Sequence, residues 1–334
     1  MFSGITKIEK KGFISVRDKN GPYEEAKGNN FNLDEFTLLN TIGMGAYSRV
    51  RLAFHNPTQK FVALKIVPKQ TVSEKNKIQQ VVSEKQILSK TKNPFVVKCF
   101  GTFQDRKCVY FVLEYVAGGE LYRRLRDLRA LETARFYSAE VCCALLELHA
   151  NDVVYRDLKP ENVLLDASGH AKLVDLGCAK EVKPGERTYS LCGTLVYLPP
   201  ETILGQGHNS SADWWTFGVF LYEMLTGSPP FLGKDPHEIQ QNILNSPVCF
   251  PQNFDKKAKD LIKGLLRKDP KIRIKDKEVK LHPFFSQVNW DLVKNKLLSP
   301  PITPKLRGPD DVSNFKFYPN ITPSFQDFDL IEGL

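Results

Sequence analysis

Residues 153–165 read VVYRDLKPENVLL, and the fold turns on how this stretch is understood. Apolar residues close both ends: Val153 and Val154 before, then Val163, Leu164 and Leu165 after. Between them stand Arg156, Asp157, Lys159, Glu161 and Asn162, with Pro160 stiffening the connection. A surface hairpin would carry charge at its turn because turns meet water. A loop held by two buried strands would instead face a polar partner, since polar groups wedged between buried strands are costly unless satisfied. These residues alone leave both readings open.

Upstream, from Phe36, the pattern is strand-like: FTLLNTI, SRVRLAF and FVALKIV, separated by the turn stretches GMG and HNPTQ. That is the signature of an antiparallel meander. EKNKIQQVVSEKQILSK follows, with Ile78, Val81, Val82, Ile87 and Leu88 at helical spacing. Two more strand runs, VVKCFGTF and CVYFVLEYV, complete the first part. Beyond Ala117-Gly118-Gly119 the character changes to long helical patterns, TARFYSAEVCCALLELHA, ADWWTFGVFLYEMLTG and KKAKDLIKGLLRK. The expectation is an α+β, bilobal chain: a small antiparallel-sheet lobe over about 36–115 and a larger helical lobe over about 118–285. Residues 1–30 are expected to form a flexible extension, and 286–334, rich in Pro and Phe, an extended tail lying on the body.

Composition narrows the classes. The chain has 334 residues, 42% hydrophobic and 25% charged, as an ordinary globular protein does. No run of about 18 apolar residues occurs, so no membrane span is expected. MFSGITKIEKK is too short and charged for a secretory signal, and Phe2 stands where an N-myristoyl signal needs glycine. The net charge of +9 favours anionic partners weakly; without a dense basic block interleaved with aromatics, nucleic acid is not an expected partner. Seven cysteines with no CxxC pair are expected as free thiols in a reducing compartment, which points to the cytoplasm and the nucleus.

Three constellations carry chemistry. In GMGAYSRV (43–50), Gly43 and Gly45 would let backbone N–H groups approach a phosphate, although a plain hairpin turn reads the same way. Lys65 in FVALKIV shares a strand face with Ala63 and Val67, while Glu84 lies on the apolar stripe of the next helix. Two opposite charges on adjacent apolar faces predict one ion pair, able to aim Lys65 at phosphate oxygens; two snorkelling surface chains are the alternative. LVDLGCAK (173–180) sets Asp175 after a strand, and LLDASGHAKLV predicts a hairpin turning at Ser168-Gly169 that returns Asp175 beside Asn162. A carboxylate and an amide oxygen make a hard site suited to Mg²⁺.

Glycine loop, VALK, helix Glu, YRDLKPEN, DLG and PPE occur in the order of a eukaryotic protein kinase, and the chain resembles that family over about residues 31–328. EYVAGGELY, TYSLCGTLVYLPPE, DWWTFGVFLYEM and PPITPKLRGPDDVSNF resemble the AGC group, most of all cAMP-dependent kinase catalytic subunits. The resemblance implies a serine/threonine kinase that uses ATP and Mg²⁺. It implies that Gly43 and Gly45 cover the phosphates, that Lys65, held by Glu84, binds them, and that Asn162 and Asp175 hold Mg²⁺. Asp157 would receive the substrate hydroxyl proton and Lys159 would neutralise the transferred group. Adenine would lie against Glu114 to Val116, with Leu113 at the gatekeeper position, walls from Ile42, Val50, Ala63 and Leu164, and Phe315 and Tyr318 as a lid; plain packing of the tail on the small lobe explains the last two equally well.

Further roles follow from the same likeness. Ser190 would carry an activation-loop phosphate paired with Arg156 and Lys180. Glu201 and Arg273 match a buried ion pair, and Asp213 a brace for the catalytic loop, whose bland alternative is a helix N-cap. Glu120, Glu161 and Glu223 would read arginines upstream of the acceptor, and Leu191, Leu195 and Leu198 would line a pocket after it. FQDFDL (325–330) resembles a hydrophobic motif, with Phe325 and Phe328 docking on the small lobe and Asp329 standing in for a phosphorylated residue. DLG replaces DFG, Ser48 replaces a glycine, and Leu195 and Val196 replace Pro and Glu, removing one acidic contact. Expected partners are protein substrates, a cyclic-nucleotide-binding regulatory subunit and an upstream activating kinase. The rival readings are an AGC kinase governed by an upstream kinase alone and a pseudokinase, which would lack Lys65, Asp157, Asn162 or Asp175; all four are present.

Overall fold

The computed structural model describes residues 31–74, 77–125 and 130–319, the side chains of 124 and 125 excepted. The expected 1–30 extension and the motif residues Phe325, Phe328 and Asp329 lie outside these residues.

The small lobe is a five-stranded antiparallel sheet: β1 (Phe36–Met44), β2 (Arg49–His55), β3 (Lys60–Pro68), and, after the helices α1 (Lys69–Glu74) and α2 (Ile78–Lys90), β4 (Cys99–Gln104) and β5 (Cys108–Glu114). Its spatial order is β1-β2-β3-β5-β4. Alternation along β3 does the sorting. Val62 and Leu64 join an outer cluster with Phe31, Phe36 and Tyr110. Ala63 and Val67 face the main core beside α2, whose Val81, Ile87 and Leu88 are buried there. Lys65 falls on this inner face by period two. The fourth strand starts at Cys99 rather than Val96, because Val96 bridges Leu173 of the large lobe instead.

The large lobe comprises α3 (Leu121–Leu125), α4 (Leu131–Ala150), β6 (Val153–Val154), β7 (Val163–Leu165), β8 (Ala171–Leu173), β9 (Lys180–Glu181), α5 (Pro200–Ile203), α6 (Ser211–Thr226), α7 (Pro236–Asn245), α8 (Lys256–Leu265), α9 (Lys277–Leu281) and α10 (Trp290–Lys294). α6 is apolar nearly all round and lies in the centre of the core, with Trp214, Trp215, Phe217 and Phe220 fully enclosed. Among the described residues no helix is long and apolar enough to cross a membrane.

The chain passes between lobes at Gly118 and Gly119. Gly118 N–H donates to Leu165 O at 2.8 Å and Leu165 N–H to Gly119 O at 2.9 Å. A Cβ on Gly118 would sit 2.5 Å from Leu165 O, so only glycine permits this approach.

The two apolar ends of VVYRDLKPENVLL are not partners. β6 pairs with β9 and β7 with β8, so the polar island hangs between two separate ladders. The surface-hairpin reading is thereby excluded, since a hairpin would pair the ends with each other. The Ser168-Gly169 turn forms as expected, with Val163 opposite Leu173 and Gly169 at φ 97°.

One expectation is corrected. Cys178 and Cys192 are disulfide-bonded, and only Cys99, Cys108, Cys142, Cys143 and Cys249 are free thiols. Their spacing of 14 residues carries no motif; the fold alone brings both ends of the loop together.

Candidate active site

Lys65 is 4% exposed, and its Nζ lies 2.6 Å from Glu84 Oε1 and 2.9 Å from Asp175 Oδ1. The predicted ion pair therefore forms, and the snorkelling alternative does not describe it. Burial opposes the ammonium charge, but Asp175 and Glu84 together overcome it and hold the Lys65 pKa above its ordinary value. The charge of Lys65 in turn holds the Asp175 carboxyl below its usual range, whereas burial pushes Glu84 up against the pull of the same lysine.

The polar residues between β6 and β7 form one network. Asn162 Nδ2 donates to Asp157 O and to Asp157 Oδ2, both at 2.8 Å. Lys159 Nζ lies 3.0 Å from Asp157 Oδ2 and 3.0 Å from Thr194 Oγ1, while Thr194 donates to Asp157 Oδ1 at 3.3 Å. Val174 N–H donates to Asn162 O at 3.0 Å, which brings Asp175 back to Asn162 as the hairpin predicted. Asp175 and Arg156 adopt left-handed backbone, with φ of 56° and 69°. Such strain in non-glycine residues clusters at functional sites.

Asp213 supports this loop from the start of α6. It does not cap that helix: its Oδ1 accepts from Arg156 N–H at 2.7 Å and its Oδ2 from Tyr155 N–H at 2.8 Å. Arg273 and Glu201 meet as expected, at 2.7 and 2.9 Å through both guanidinium branches.

At the cleft's roof and hinge, Ala63, Leu113 and Val116 are buried in the core, with Ile42, Val50 and Leu164 packed half-buried against it. Gly43 pairs with Val50 across the β1–β2 turn, and Gly45 N–H donates to Ser48 O at 2.8 Å. Ser48 is not among the left-handed residues, so it fits where a glycine was expected. Leu176 is buried and fills the apolar place after Asp175. The tail crosses the hinge. Asn314 Nδ2 donates to Ala117 O at 3.1 Å, and Phe315 stacks on Tyr115 with ring centroids 5.9 Å apart. Tyr318 is half-buried beside Lys316.

Ser190 meets Arg156, whose Nη1 lies 2.7 Å from Ser190 Oγ. Lys180 does not reach Ser190 directly. Its Nζ donates to Thr188 Oγ1 at 3.0 Å, and Thr188 shares a 3.1 Å hydrogen bond with Ser190, so the expected cation pair is relayed on one side. Of the acidic residues, Glu223 is buried and accepts from Tyr197 OH, Glu161 is exposed beside the same tyrosine, and Glu120 pairs with Arg123 at 3.4 Å. Leu191 is exposed, Leu195 half-buried and Leu198 buried.

Several residues escaped the sequence reading. Thr194 closes the Asp157–Lys159 network. His149 Nε2 lies 2.7 Å from Asp213 Oδ2, behind the loop. Tyr47, at the tip of the glycine loop, lies under the field of Lys65, Glu84 and Asp175, and burial pushes its phenol up. Gln80 of α2 donates to Gly177 O, tying the helix of Glu84 to the segment of Asp175. Lys172 binds Glu114 at 2.8 Å and so ties the hinge to β8. Tyr47, Lys172 and Thr194 lay in quoted stretches, but nothing local in those stretches marked the partners they meet.

The protein kinase domain family matches residues 36–285. The human cAMP-dependent protein kinase catalytic subunit PRKX is 42% identical over 296 residues, 86% of this chain and 82% of that protein. The serine/threonine-protein kinase Sgk1 of Xenopus tropicalis is 43% identical over 289 residues, 84% of this chain and 69% of that protein. The cAMP-dependent protein kinase type 3 of Saccharomyces cerevisiae is 39% identical over 320 residues, 93% and 78% of the two chains. With a matching sheet-over-helices fold, this chain belongs to the protein kinase domain family, as an AGC-type serine/threonine protein kinase.

Proposed function

We propose that the chain moves the γ-phosphoryl group of ATP to serine or threonine hydroxyls that follow arginines, with Asp157 as the group that orients the acceptor and takes its proton. The observation that carries this reading is convergence: Lys65 bridges Glu84 and Asp175 while Asn162 and Lys159 bracket Asp157. Lys65 binds the phosphates, Glu84 keeps its ammonium in place, and Lys159 meets the charge of the moving group. Asp157 stays fixed for in-line attack because both of its oxygens are held.

The donors suit Mg²⁺. Asp175 offers a carboxylate half-open to the cleft, and Asn162 has its amide nitrogen committed to Asp157, so its other polar atom is an oxygen. Two hard oxygens of this kind, completed by phosphates and water, are what Mg²⁺ takes, and the ion would neutralise phosphate charge there.

Glu120, Glu161 and Glu223 support a preference for upstream arginines, because guanidinium groups pair bidentately with carboxylates. The likeness to PRKX, named as a cAMP-dependent catalytic subunit, supports control by a cyclic-nucleotide-binding subunit; the Arg156–Ser190 contact supports control through phosphate on Ser190 by an upstream kinase instead.

Phosphorylation of a peptide library with wild type and Asp157→Asn tests the reading. Arg-dependent transfer by the wild type and a loss of about 10²–10⁴ in kcat for the variant are expected. Transfer indifferent to arginine would remove the roles of the three glutamates. Inhibition by an added regulatory subunit, relieved by cAMP, would select the first mode of control.

A further inference from the structure

The disulfide joins two places that the chemistry depends on. Cys178 stands three residues after Asp175, and Cys192 lies two residues from Ser190 and two from Thr194. The bond closes the intervening loop into a ring that holds Lys180, Thr188 and Ser190. Arg156 spans the same two ends without a covalent link: its Nε donates to Cys178 O at 2.7 Å and its Nη1 to Ser190 O at 3.2 Å. Both cysteines are half-buried, within reach of small reagents. Cys249 is exposed, and the other free thiols are poorer candidates. Burial pushes Cys99, Cys108 and Cys143 each up to about 11, away from the reactive thiolate.

We propose that Cys178 and Cys192 form a reversible dithiol–disulfide pair, and that its oxidised form orders the activation segment when Ser190 carries no phosphate. In the bridged structure Thr194 meets both Asp157 and Lys159, and Arg156 meets Ser190, so the cross-link and the ordered contacts occur together. A cross-link removes freedom from the open loop, which is the work a Ser190 phosphate would do through Arg156. The two devices act on one segment, so their joint effect is smaller than the sum of the two separate effects.

The oxidant is a hydroperoxide. One thiolate attacks its terminal oxygen, giving a sulfenic acid and releasing an alcohol; the second thiolate then displaces that oxygen as water and the S–S bond forms. Two thiols and one ROOH give one disulfide, ROH and H₂O. A soluble dithiol reverses the bond by exchange and leaves as its own disulfide.

The inference rests on the kinase reading but not on Ser190 being modified, so the full chain carrying Ser190→Ala is the probe. It is treated with hydroperoxide or with dithiothreitol, mapped by non-reducing peptide mass spectrometry, and assayed on an arginine-containing peptide. The expected result is a 178–192 cross-link and about tenfold higher kcat/KM in the oxidised sample, a part of what a loop-closing bond supplies. Adding Cys192→Ala should erase the difference. No cross-link, equal activity in both states (zero included), higher activity on reduction, or a difference that survives Cys192→Ala overturns the proposal. The kinase reading fails separately, if reduced wild type phosphorylated at Ser190 transfers no phosphate.

Discussion

Arg273 and Glu201 meet in the large lobe much as Lys65 and Glu84 meet in the small one: a cation and a carboxylate withdrawn from water, 2.7 and 2.6 Å apart. The surroundings differ. Arg273 spends its whole fork inside the protein, on both oxygens of Glu201 and on the carbonyls of Arg267, Ser211 and Lys268. Its guanidinium also sits 5.2 Å from the Trp215 ring centroid. Lys65 has one ammonium shared between two carboxylates, and the second, Asp175, has a side chain 50% exposed. A saturated fork has no valence left for a ligand and can only hold structure. An ammonium that faces a half-open carboxylate can exchange that partner for a phosphate.

Breaking each pair should therefore give opposite signatures. Arg273→Met strands a buried carboxylate and is expected to lower the unfolding free energy by about 3–5 kcal/mol, while ATP affinity of the folded fraction holds. Denaturant melts and nucleotide titration measure the two quantities. Lys65→Met should cost about 10²–10³ in kcat, as removal of one preorganised charge does. Its stability loss should be the smaller of the two, because the Glu84 carboxyl, already raised by burial, can take up a proton when the lysine leaves. If Lys65→Met unfolds the chain as readily as Arg273→Met, the contrast fails.

How far the sequence carried this contrast depends on where partners lie. The sheet was legible because β3 alternates cleanly, and the same alternation placed Lys65 on the face of Ala63 and Val67. Glu84 was legible as a charge on an apolar helix stripe. Thr194 was not, since its partner Asp157 is 37 residues away and no local pattern marks a hydroxyl for that task. His149 and Asp213 are 64 apart, Glu114 and Lys172 58 apart. Periodicity reveals which face a residue takes. Only the packed chain reveals which distant group meets it there, and the Cys178–Cys192 bond is the sharpest case.

His149 offers a third, intermediate test. Burial alone would lower its pKa, but the hydrogen bond to Asp213 and the Asp276 carboxylate 3.6 Å from Nδ1 raise it to about 9. The unfolded imidazole titrates near 6.5. The stabilisation is thus present in full below about pH 6.5 and is lost as pH rises through about 9. Thermal melts of wild type should fall across that window more steeply than those of His149→Gln, which lacks the titrating group. Parallel curves would mean that the imidazole does not brace Asp213 as a cation.

The smallest effect is expected at a pair whose distance looks the same. Lys90 Nζ lies 2.6 Å from Glu181 Oε1, matching Lys65–Glu84, yet the two side chains are 65% and 46% exposed. Water already solvates both charges, and holding two long side chains in one geometry costs rotamer entropy. A double-mutant cycle with Lys90→Gln and Glu181→Gln should give a coupling of about 0–1 kcal/mol, shrinking further in high salt. The pair does join α2, the helix of Glu84, to β9 at the start of the loop that carries Ser190, so the cycle also asks whether a surface contact there is more than incidental. A coupling that exceeds about 1 kcal/mol and resists salt would mean that position in the fold outweighs exposure. The ranking of the three ion pairs by burial and saturation would then have to be replaced by one based on what each pair joins.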